Sequence, residues 1–132
     1  MSKIYTLSGK PIPLARPRLG KTHTYDSQAK LKEASSWEIM AQRPKPFLLT
    51  KRPLQMVVTF NMGMPKAWSR IKQDHFVSKP CLTRPDVDNL LKYLLDVCNG
   101  LLFEDDSQVT SVHAKKIYSF VPSTTFQLIE IL

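Results

Sequence analysis

The chain has 132 residues, with 19 Lys and Arg against 11 Asp and Glu, which gives a formal net charge of +8 and a pI near 9.7. This is the length of one domain, and a hydrophobic content of 42% excludes a disordered basic tail. The apolar runs are too short for a transmembrane helix and the first residues do not resemble a signal peptide, so we expect one soluble, cytoplasmic domain over residues 1–132.

The first half of the chain predicts a strand, an extended segment and a helix. A strand is expected over residues 3–8 and ends at Gly9. The prolines of residues 10–18 then hold the backbone extended, because each fixes its own φ and keeps its predecessor out of the helical region. Asp26 is a suitable N-cap for a loosely amphipathic helix over residues 27–42, which stops before Pro44.

The second half predicts a strand over residues 54–62, a basic mobile loop over 64–85, and a helix over 86–99. Apolar residues recur at helical spacing from Val87 to Cys98, and Gly100 suits the position after the helix. Two strands follow, at about 108–120 and 124–132. The order indicates an α+β fold with a small mixed β-sheet and two main helices.

Five residues around the second helix could carry chemistry. Asp86 and Asp88 begin the helix, Lys92 lies one turn further on, and Asp105 and Asp106 occupy the turn after it. If these carboxylates converge, two like charges 4 Å apart cost on the order of 4 kcal/mol at an effective dielectric of 20. Such a cluster would need a divalent cation, and oxygen ligands without His or Cys favour Mg²⁺ or Mn²⁺.

Simpler interpretations of the same residues stay open. Acidic residues are favoured in the first turn of any helix, and an Asp-Asp-Ser turn is common. Asp88, Lys92 and Asp96 are spaced four residues apart, so a ladder of surface ion pairs also explains the lysine. An EF-hand is a poorer fit, because Leu90 and Leu91 replace a ligand and the turn glycine.

Other residue types give weaker signals. Cys81 and Cys98 form no CxxC pair and have no His at zinc spacing, so neither a disulfide framework nor a zinc site is expected. His23, His75 and His113 are scattered along the sequence. These residues are interpreted as structural or incidental.

The chain resembles the RusA family of Holliday-junction resolvases. The segments that carry the resemblance are Arg84-Pro85-Asp86-Val87-Asp88-Asn89-Leu90-Leu91-Lys92, Asp96, Asn99-Gly100 and Glu104-Asp105-Asp106-Ser107-Gln108-Val109, with upstream matches in Gly9-Lys10-Pro11-Ile12-Pro13, Arg16-Pro17-Arg18, Thr24-Tyr25-Asp26 and Met64-Pro65-Lys66-Ala67-Trp68-Ser69. They cover nearly the whole chain. The combination of Pro-Asp-x-Asp-Asn-Leu-x-Lys with a later Asp-Asp-Ser-Gln is far more specific than any single motif.

The resemblance implies roles for individual residues. Asp86, Asp88 and Asp106 would be the metal-binding catalytic carboxylates, and Lys92 the essential lysine. Asp105 matches the preceding acidic position and is a second candidate ligand. Asn89 is placed in the shell that supports these residues. Family members are small homodimers that cut four-way DNA junctions with Mg²⁺ or Mn²⁺.

We therefore predict a Mg²⁺-dependent endodeoxyribonuclease that resolves four-way junctions by paired symmetric nicks in DNA recombination and repair, encoded by a cell or a phage. The charge is divided along the chain: the first 85 residues carry sixteen Lys and Arg against four acids, and the remainder three against seven. The basic part is expected to hold DNA, through Arg16, Arg18, Lys66, Arg70, Lys72, Lys79 and Arg84. A non-catalytic nucleic-acid-binding module and a nuclease for flaps or forks remain alternatives.

Overall fold

The fold combines one four-stranded sheet with three helices. The structure, a computed structural model, describes residues 3–15, 18–19 and 24–132. Its elements are β1 (Ile4–Ser8), β2 (Arg18–Leu19), β3 (Thr24–Tyr25), α1 (Ala29–Gln42), β4 (Leu54–Gly63), α2 (Arg70–Phe76), α3 (Val87–Cys98), a 3-10 turn (Asp106–Gln108), β5 (Val109–Ser119) and β6 (Ser123–Glu130). The predicted α+β class, the mixed sheet and the two main helices are confirmed.

The strands of the main sheet lie in the order β1-β6-β4-β5. β4 and β5 are parallel, and the other neighbours are antiparallel. Parallel strands cannot be joined by a hairpin, so the chain between them forms a crossover that contains α2 and α3. β2 and β3 pair only with each other. The crossover places α3 against the sheet.

The core lies between α3 and one face of the sheet. Alternate residues of β4, from Leu54 to Met62, are buried, and they meet the apolar side of α3. Fully burying one such side chain contributes roughly 1.5–3 kcal/mol. Phe60 and Leu94 are no more than 2% exposed. This packing fixes α3 on the sheet and leaves its polar side in solvent.

α1 closes the β1 edge of the sheet through polar side chains. Only Ile39 of this helix is buried. The Gln42 amide donates to the Thr6 carbonyl at 2.7 Å and accepts from the Thr6 N–H at 2.8 Å. Glu38 accepts from both the N–H and the hydroxyl of Ser8. The side chains of α1 therefore satisfy main-chain groups that an edge strand otherwise presents to other chains.

Two local expectations differ from the structure. The segment predicted as a basic loop contains α2, whose cap Ser69 accepts from the Lys72 N–H at 3.2 Å. A seven-residue helix is too short to show a hydrophobic period, and its Phe76 packs against Tyr118 of the distant β5. α1 begins at Ala29 with Gln28 at its cap, and Asp26 instead accepts from the Gln28 N–H.

No helix within the described residues is long and apolar enough to cross a membrane. The predicted contacts of Arg16 and the position of His23 lie outside the described residues. Arg18 is in β2.

Candidate active site

The start of α3 presents two aspartates to solvent. Asp86 occupies the N-cap position in extended conformation, and Asp88 lies in the first turn. Both are exposed. Among the described residues neither carboxylate forms an ion pair, and the Asp86 side chain makes no capping hydrogen bond. These two carboxylates therefore remain available to a ligand.

Lys92 lies one turn beyond Asp88 on the exposed side of α3. Within the part of the chain that the structure describes, it pairs with neither Asp88 nor Asp96. Asp96 is engaged elsewhere, because Lys32 of α1 reaches it at 2.6 Å. A surface ladder along α3 thus does not account for Lys92.

Two contacts position the start of α3. The Lys116 ammonium of β5 donates to the Thr83 carbonyl at 2.7 Å and to the Pro85 carbonyl at 2.8 Å. The Asn89 carbonyl accepts from the Leu14 N–H at 3.0 Å, which ties the extended proline-rich segment to the helix. Residues from both ends of the chain therefore fix the backbone on which Asp86 and Asp88 stand.

The acidic turn, residues 104–108, is organised by Asp105 and Gln108. The Asp105 carboxylate accepts from the Ser107 N–H at 3.2 Å, and the Gln108 side-chain oxygen accepts from the N–H of Glu104 and of Asp105. The Gln108 amide donates to the carbonyls of Thr50 and Arg52, before β4. These bonds hold the turn at the beginning of the two parallel strands.

Within this turn the two aspartates differ. Hydrogen bonds with Ser107 hold the pKa of Asp105 below its ordinary value, so its carboxylate is ionised and already used in capping. Asp106 is exposed and forms no ion pair within the described residues. Asp106 is consequently the freer of the two to bind a cation.

The chain holds its two aspartate pairs at opposite ends of α3. The helix has 12 residues and spans roughly 18 Å at 1.5 Å per residue. The distance along β5 gives a similar separation between the two aspartate pairs. The acidic turn precedes Val109, whereas the start of α3 lies beside Lys116, seven residues and about 23 Å further along β5. Asp86 and Asp88 are therefore remote from Asp105 and Asp106 of the same chain.

This separation bears on metal binding. No group of three or more His, Cys, Asp or Glu side chains that could hold a metal ion occurs within residues 3–15, 18–19 and 24–132. The donor types fit Mg²⁺ or Mn²⁺, since all four are carboxylates. One chain, however, offers at most two of them at one place.

Two adjoining clefts lie next to the start of α3. One, of about 450 Å³, contains the cations of Lys10, Lys66 and Arg84 in its lining. The other, of about 460 Å³, is lined by Pro13, Leu14, Arg84, Pro85, Asp86 and Asn89. Arg84 and Pro85 belong to both. The cleft that contains the three cations thus adjoins the cleft that contains Asp86.

Three further residues predicted to contact DNA lie in α2 or just after it, namely Arg70, Lys72 and Lys79. Lys72 and Lys79 lie over the rings of Trp68 and Phe76, at 4.5 and 6.0 Å from the ring centres. Arg70 pairs with Asp74 at 2.9 Å and also covers Phe120. These three cations are exposed and form a basic surface of their own.

Sequence reasoning missed three contributors. Lys10 was not among the predicted DNA-binding residues, although it lies in the Gly9-Lys10-Pro11-Ile12-Pro13 segment that carries the resemblance. Lys116 and Gln108 act through backbone carbonyls that are distant in sequence, at Pro85 and Thr50. No local pattern could have indicated those contacts.

The chain is similar to known proteins over nearly its whole length. The sequence model of the family Endodeoxyribonuclease RusA matches residues 8–129. The uncharacterized protein YqaN of Bacillus subtilis (strain 168) is 32% identical over 136 residues, covering 96% of this chain and 95% of that protein. The crossover junction endodeoxyribonuclease rusA of Lactococcus phage r1t is 32% identical over 101 residues, covering 74% and 70%.

The match to the family defines an enzyme that cleaves DNA internally, an endodeoxyribonuclease. Within that class, the chain belongs to the RusA family.

Proposed function

We propose that this enzyme resolves four-way DNA junctions by paired, symmetric, Mg²⁺-dependent nicks, in DNA recombination and repair. The observation that carries the proposal is the start of α3. There Asp86, Asp88 and Lys92 are exposed and unpaired among the described residues, beside clefts that contain cations, in a chain of the RusA family. The phage relative also supports a phage-borne origin for the gene.

The functional unit is proposed to be a homodimer with sites shared between subunits. One chain separates its two aspartate pairs by about 20 Å along α3 and β5. A two-fold axis can bring the acidic turn of one subunit to the start of α3 in the other, which completes two identical sites. Two such sites suit a junction, because a four-way junction has approximate two-fold symmetry.

In each site the cation would be held by Asp86 and Asp88 of one subunit together with Asp106 of the partner subunit. Bound there, Mg²⁺ would lower the pKa of a water molecule and neutralise charge on the phosphate. Lys92 supplies a fixed positive charge beside the same phosphate. Asn89 and Lys116 keep the helix start in place, and Asp105 shapes the turn that presents Asp106.

DNA is proposed to enter along the cationic clefts. Lys66 and Arg84, together with Lys10, would contact the phosphates next to the cleaved bond. The surface of Arg70, Lys72 and Lys79 would hold a neighbouring arm, and Arg16 and Arg18 are also proposed to contact DNA. These contacts are sequence-independent, so affinity is expected to fall steeply with salt.

The test is Asp88→Asn on a synthetic mobile four-way junction, with and without Mg²⁺, read on a denaturing gel. We expect cutting to vanish while junction binding survives or tightens, because the change removes a ligand charge and reduces repulsion of phosphate. Asp96→Asn is the matched control on the same helix, since Asp96 pairs with Lys32 and should not affect cutting.

Each other outcome is informative. Persistent cutting by Asp88→Asn would overturn the site assignment. Wild-type cutting of flaps or forks in preference to the junction, at equal protein concentration, would replace the substrate. Binding without any Mg²⁺-dependent nicking would leave only a nucleic-acid-binding role.

A further inference from the structure

One of the most exposed apolar side chains lies four residues before Asp86. Leu82 is 92% exposed, more than any other large apolar residue in the described part of the chain except the C-terminal Leu132. It belongs to the connection between α2 and α3. Single exposed leucines are common on protein surfaces, so what distinguishes this one is the backbone that holds it and the groups around it.

The main chain on both sides of Leu82 is anchored to β5. Before it, the Cys81 N–H donates to the Lys116 carbonyl at 3.0 Å, and Cys81 itself is buried. After it, the Lys116 ammonium donates to the carbonyls of Thr83 and Pro85 at 2.7 and 2.8 Å. The Thr83 hydroxyl lies 3.2 Å from the Cys81 sulfur. A single residue of β5 therefore holds this segment at both ends, and the exposed Leu82 stands on a fixed backbone.

The surroundings of Leu82 are positively charged. Residues 75–85 contain two Lys or Arg and no Asp or Glu. Thr83, the residue after Leu82, lines the cleft that contains three cations. A partner that covers Leu82 must therefore present negative charge and apolar surface side by side.

DNA presents both groups together where its base stack is interrupted. In a continuous duplex the base faces cover each other, so a protein side chain meets phosphates, sugars and groove edges. At an open branch point, the last base pair of an arm exposes one face next to its phosphates. Apolar side chains are known to insert at base steps and to hold such an interruption open. Charge and apolar exposure together thus favour a branch point as the partner of Leu82.

We propose that Leu82 is an apolar wedge, a side chain that contacts the open base face at the branch point next to the phosphodiester bond that is cut. The Cα atoms of Leu82 and Asp86 are at most about 14 Å apart, because four residues of extended chain reach no further. That distance corresponds to roughly four stacked bases. The inference rests on the proposed function, and it assigns the preference for branched over continuous DNA to one side chain.

The test compares Leu82→Ala with the wild type on two junctions. One is fully paired, and the other has mismatches in place of the base pairs at the branch point. On the paired junction, single-turnover cutting should fall roughly tenfold or more, because the short side chain no longer holds the bases apart. On the mismatched junction the bases unstack at little cost, so cutting should return to within about threefold of the wild type. Leu82→Met, which keeps a long apolar side chain, should cut both junctions like the wild type.

Unstacking can also be measured without cutting. Asp88→Asn should bind the junction but not cut it. A 2-aminopurine base at the branch point should gain fluorescence when this variant binds, because stacking quenches that base. Adding Leu82→Ala should remove at least about half of the gain at saturating protein, as expected if the leucine separates the bases.

Ile4→Ala is the matched control. Ile4 is 60% exposed, and its neighbour Tyr5 is buried in the core that contains α3. Since successive strand residues point to opposite faces, Ile4 lies on the face of the sheet that is turned away from α3. It should cut both junctions like the wild type. Leu82→Ala should also match the wild type in circular dichroism and sedimentation, because its side chain is exposed.

Several results would overturn the wedge. An equal loss of cutting on both junctions would mean that Leu82 supports the site, and weaker self-association of Leu82→Ala would mean that it packs between subunits. Unchanged cutting of the paired junction by Leu82→Ala would overturn the wedge and leave the proposed function. Unstacking that depends on Leu82, in a protein that cuts no four-way junction, would support the wedge and overturn the proposed function.

Discussion

Aspartates that lie at the start of a helical turn differ in their hydrogen-bond and ion-pair partners in this enzyme. Asp88 and Asp105 both lie at the start of a helical turn, but Asp105 accepts a hydrogen bond from Ser107 and Asp88 has no ion-pair partner among the described residues. The same contrast separates Asp96, held by Lys32, from Lys92. Exposed charges without partners contribute little to stability, so substitutions of Asp88 and Lys92 can separate an effect on cutting from an effect on folding.

Lys92→Gln separates a catalytic from a structural role. Because Lys92 makes no ion pair within the described residues, we expect the free energy of unfolding to change by no more than about 0.5 kcal/mol, as for neutral surface changes. Loss of a fixed charge at the phosphate should lower single-turnover cutting by roughly 10²–10³. Lys30→Gln, at an exposed position in the first turn of α1, is the control, and equal cutting by both variants would contradict the role.

The two aspartates of the acidic turn should respond differently to amide substitution. Asparagine can replace Asp105 as a cap, because its side-chain oxygen also accepts from Ser107. Asp105→Asn should therefore keep most cutting, whereas Asp106→Asn should lose it by 10² or more, as expected for a ligand charge. Cleavage rates at several Mg²⁺ concentrations measure this. Equal loss in both variants would make Asp105 a ligand too.

Individual elements show which sequence patterns predict structure. α3 was predicted because its apolar period continues over three turns and a glycine follows it, and in the structure Gly100 adopts φ 77°. The sequence predicted a helix over most of the residues of α1. It did not predict that only Ile39 would be buried, or that polar side chains would attach the helix to β1. α2 escaped prediction because its cap and aromatic contacts, not its period, stabilise it. Short helices therefore depend on partners that a local window does not contain.

The attachment of α1 to α3 should depend on pH. Lys32 contacts Asp26 and Asp96, both at 2.6 Å. Hydrogen bonds with Lys32 and the Gln28 N–H lower the pKa of Asp26, so its contribution is present above the ordinary Asp range and is lost as pH falls through the folded-state pKa. Burial opposes the charge of Lys32, but the two carboxylates together raise its pKa, so its contribution is lost only as pH rises through that raised value.

Lys32→Met should therefore lower the free energy of unfolding at neutral pH and flatten its decline at both pH extremes. Urea unfolding at pH 3, 7 and 11 measures the effect. Lys30→Met is the control, because Lys30 forms no ion pair within the described residues. An unchanged pH dependence in Lys32→Met would show that the contact does not stabilise the fold.

At the scale of the whole molecule, the separation of the aspartate pairs predicts complementation between inactive subunits. Asp88→Asn and Asp106→Asn should each be inactive alone. In a mixed dimer, the intact Asp88 of one chain meets the intact Asp106 of the other, so one site is restored. Co-expression should recover about a quarter of wild-type site activity, since half of randomly formed dimers are mixed and each has one working site.

The recovered activity should yield single nicks. Co-expressed Asp86→Asn and Asp88→Asn are the control, because both changes affect the same half of each site and no mixed dimer is complete. Separately tagged subunits allow the mixed dimers to be purified before the assay. Failure of the first pair to regain cutting would show that each site is built within one chain.

The sequence by itself determined the fold class, the principal elements, the charge division and the family motif, because each depends on local spacing or on residue type. It also indicated Asp86, Asp88, Lys92 and Asp106 as candidates. Only the tertiary structure decided that none of these charges has an ion-pair partner among the described residues, and that β5 runs back along α3 so that the acidic turn lies at the far end. The excess positive charge is spread along the sequence, and only the folded chain brings Lys10, Lys66 and Arg84 from three separate segments into the lining of one cleft. Contacts between distant segments are set by packing and strand order, which local periodicity does not encode.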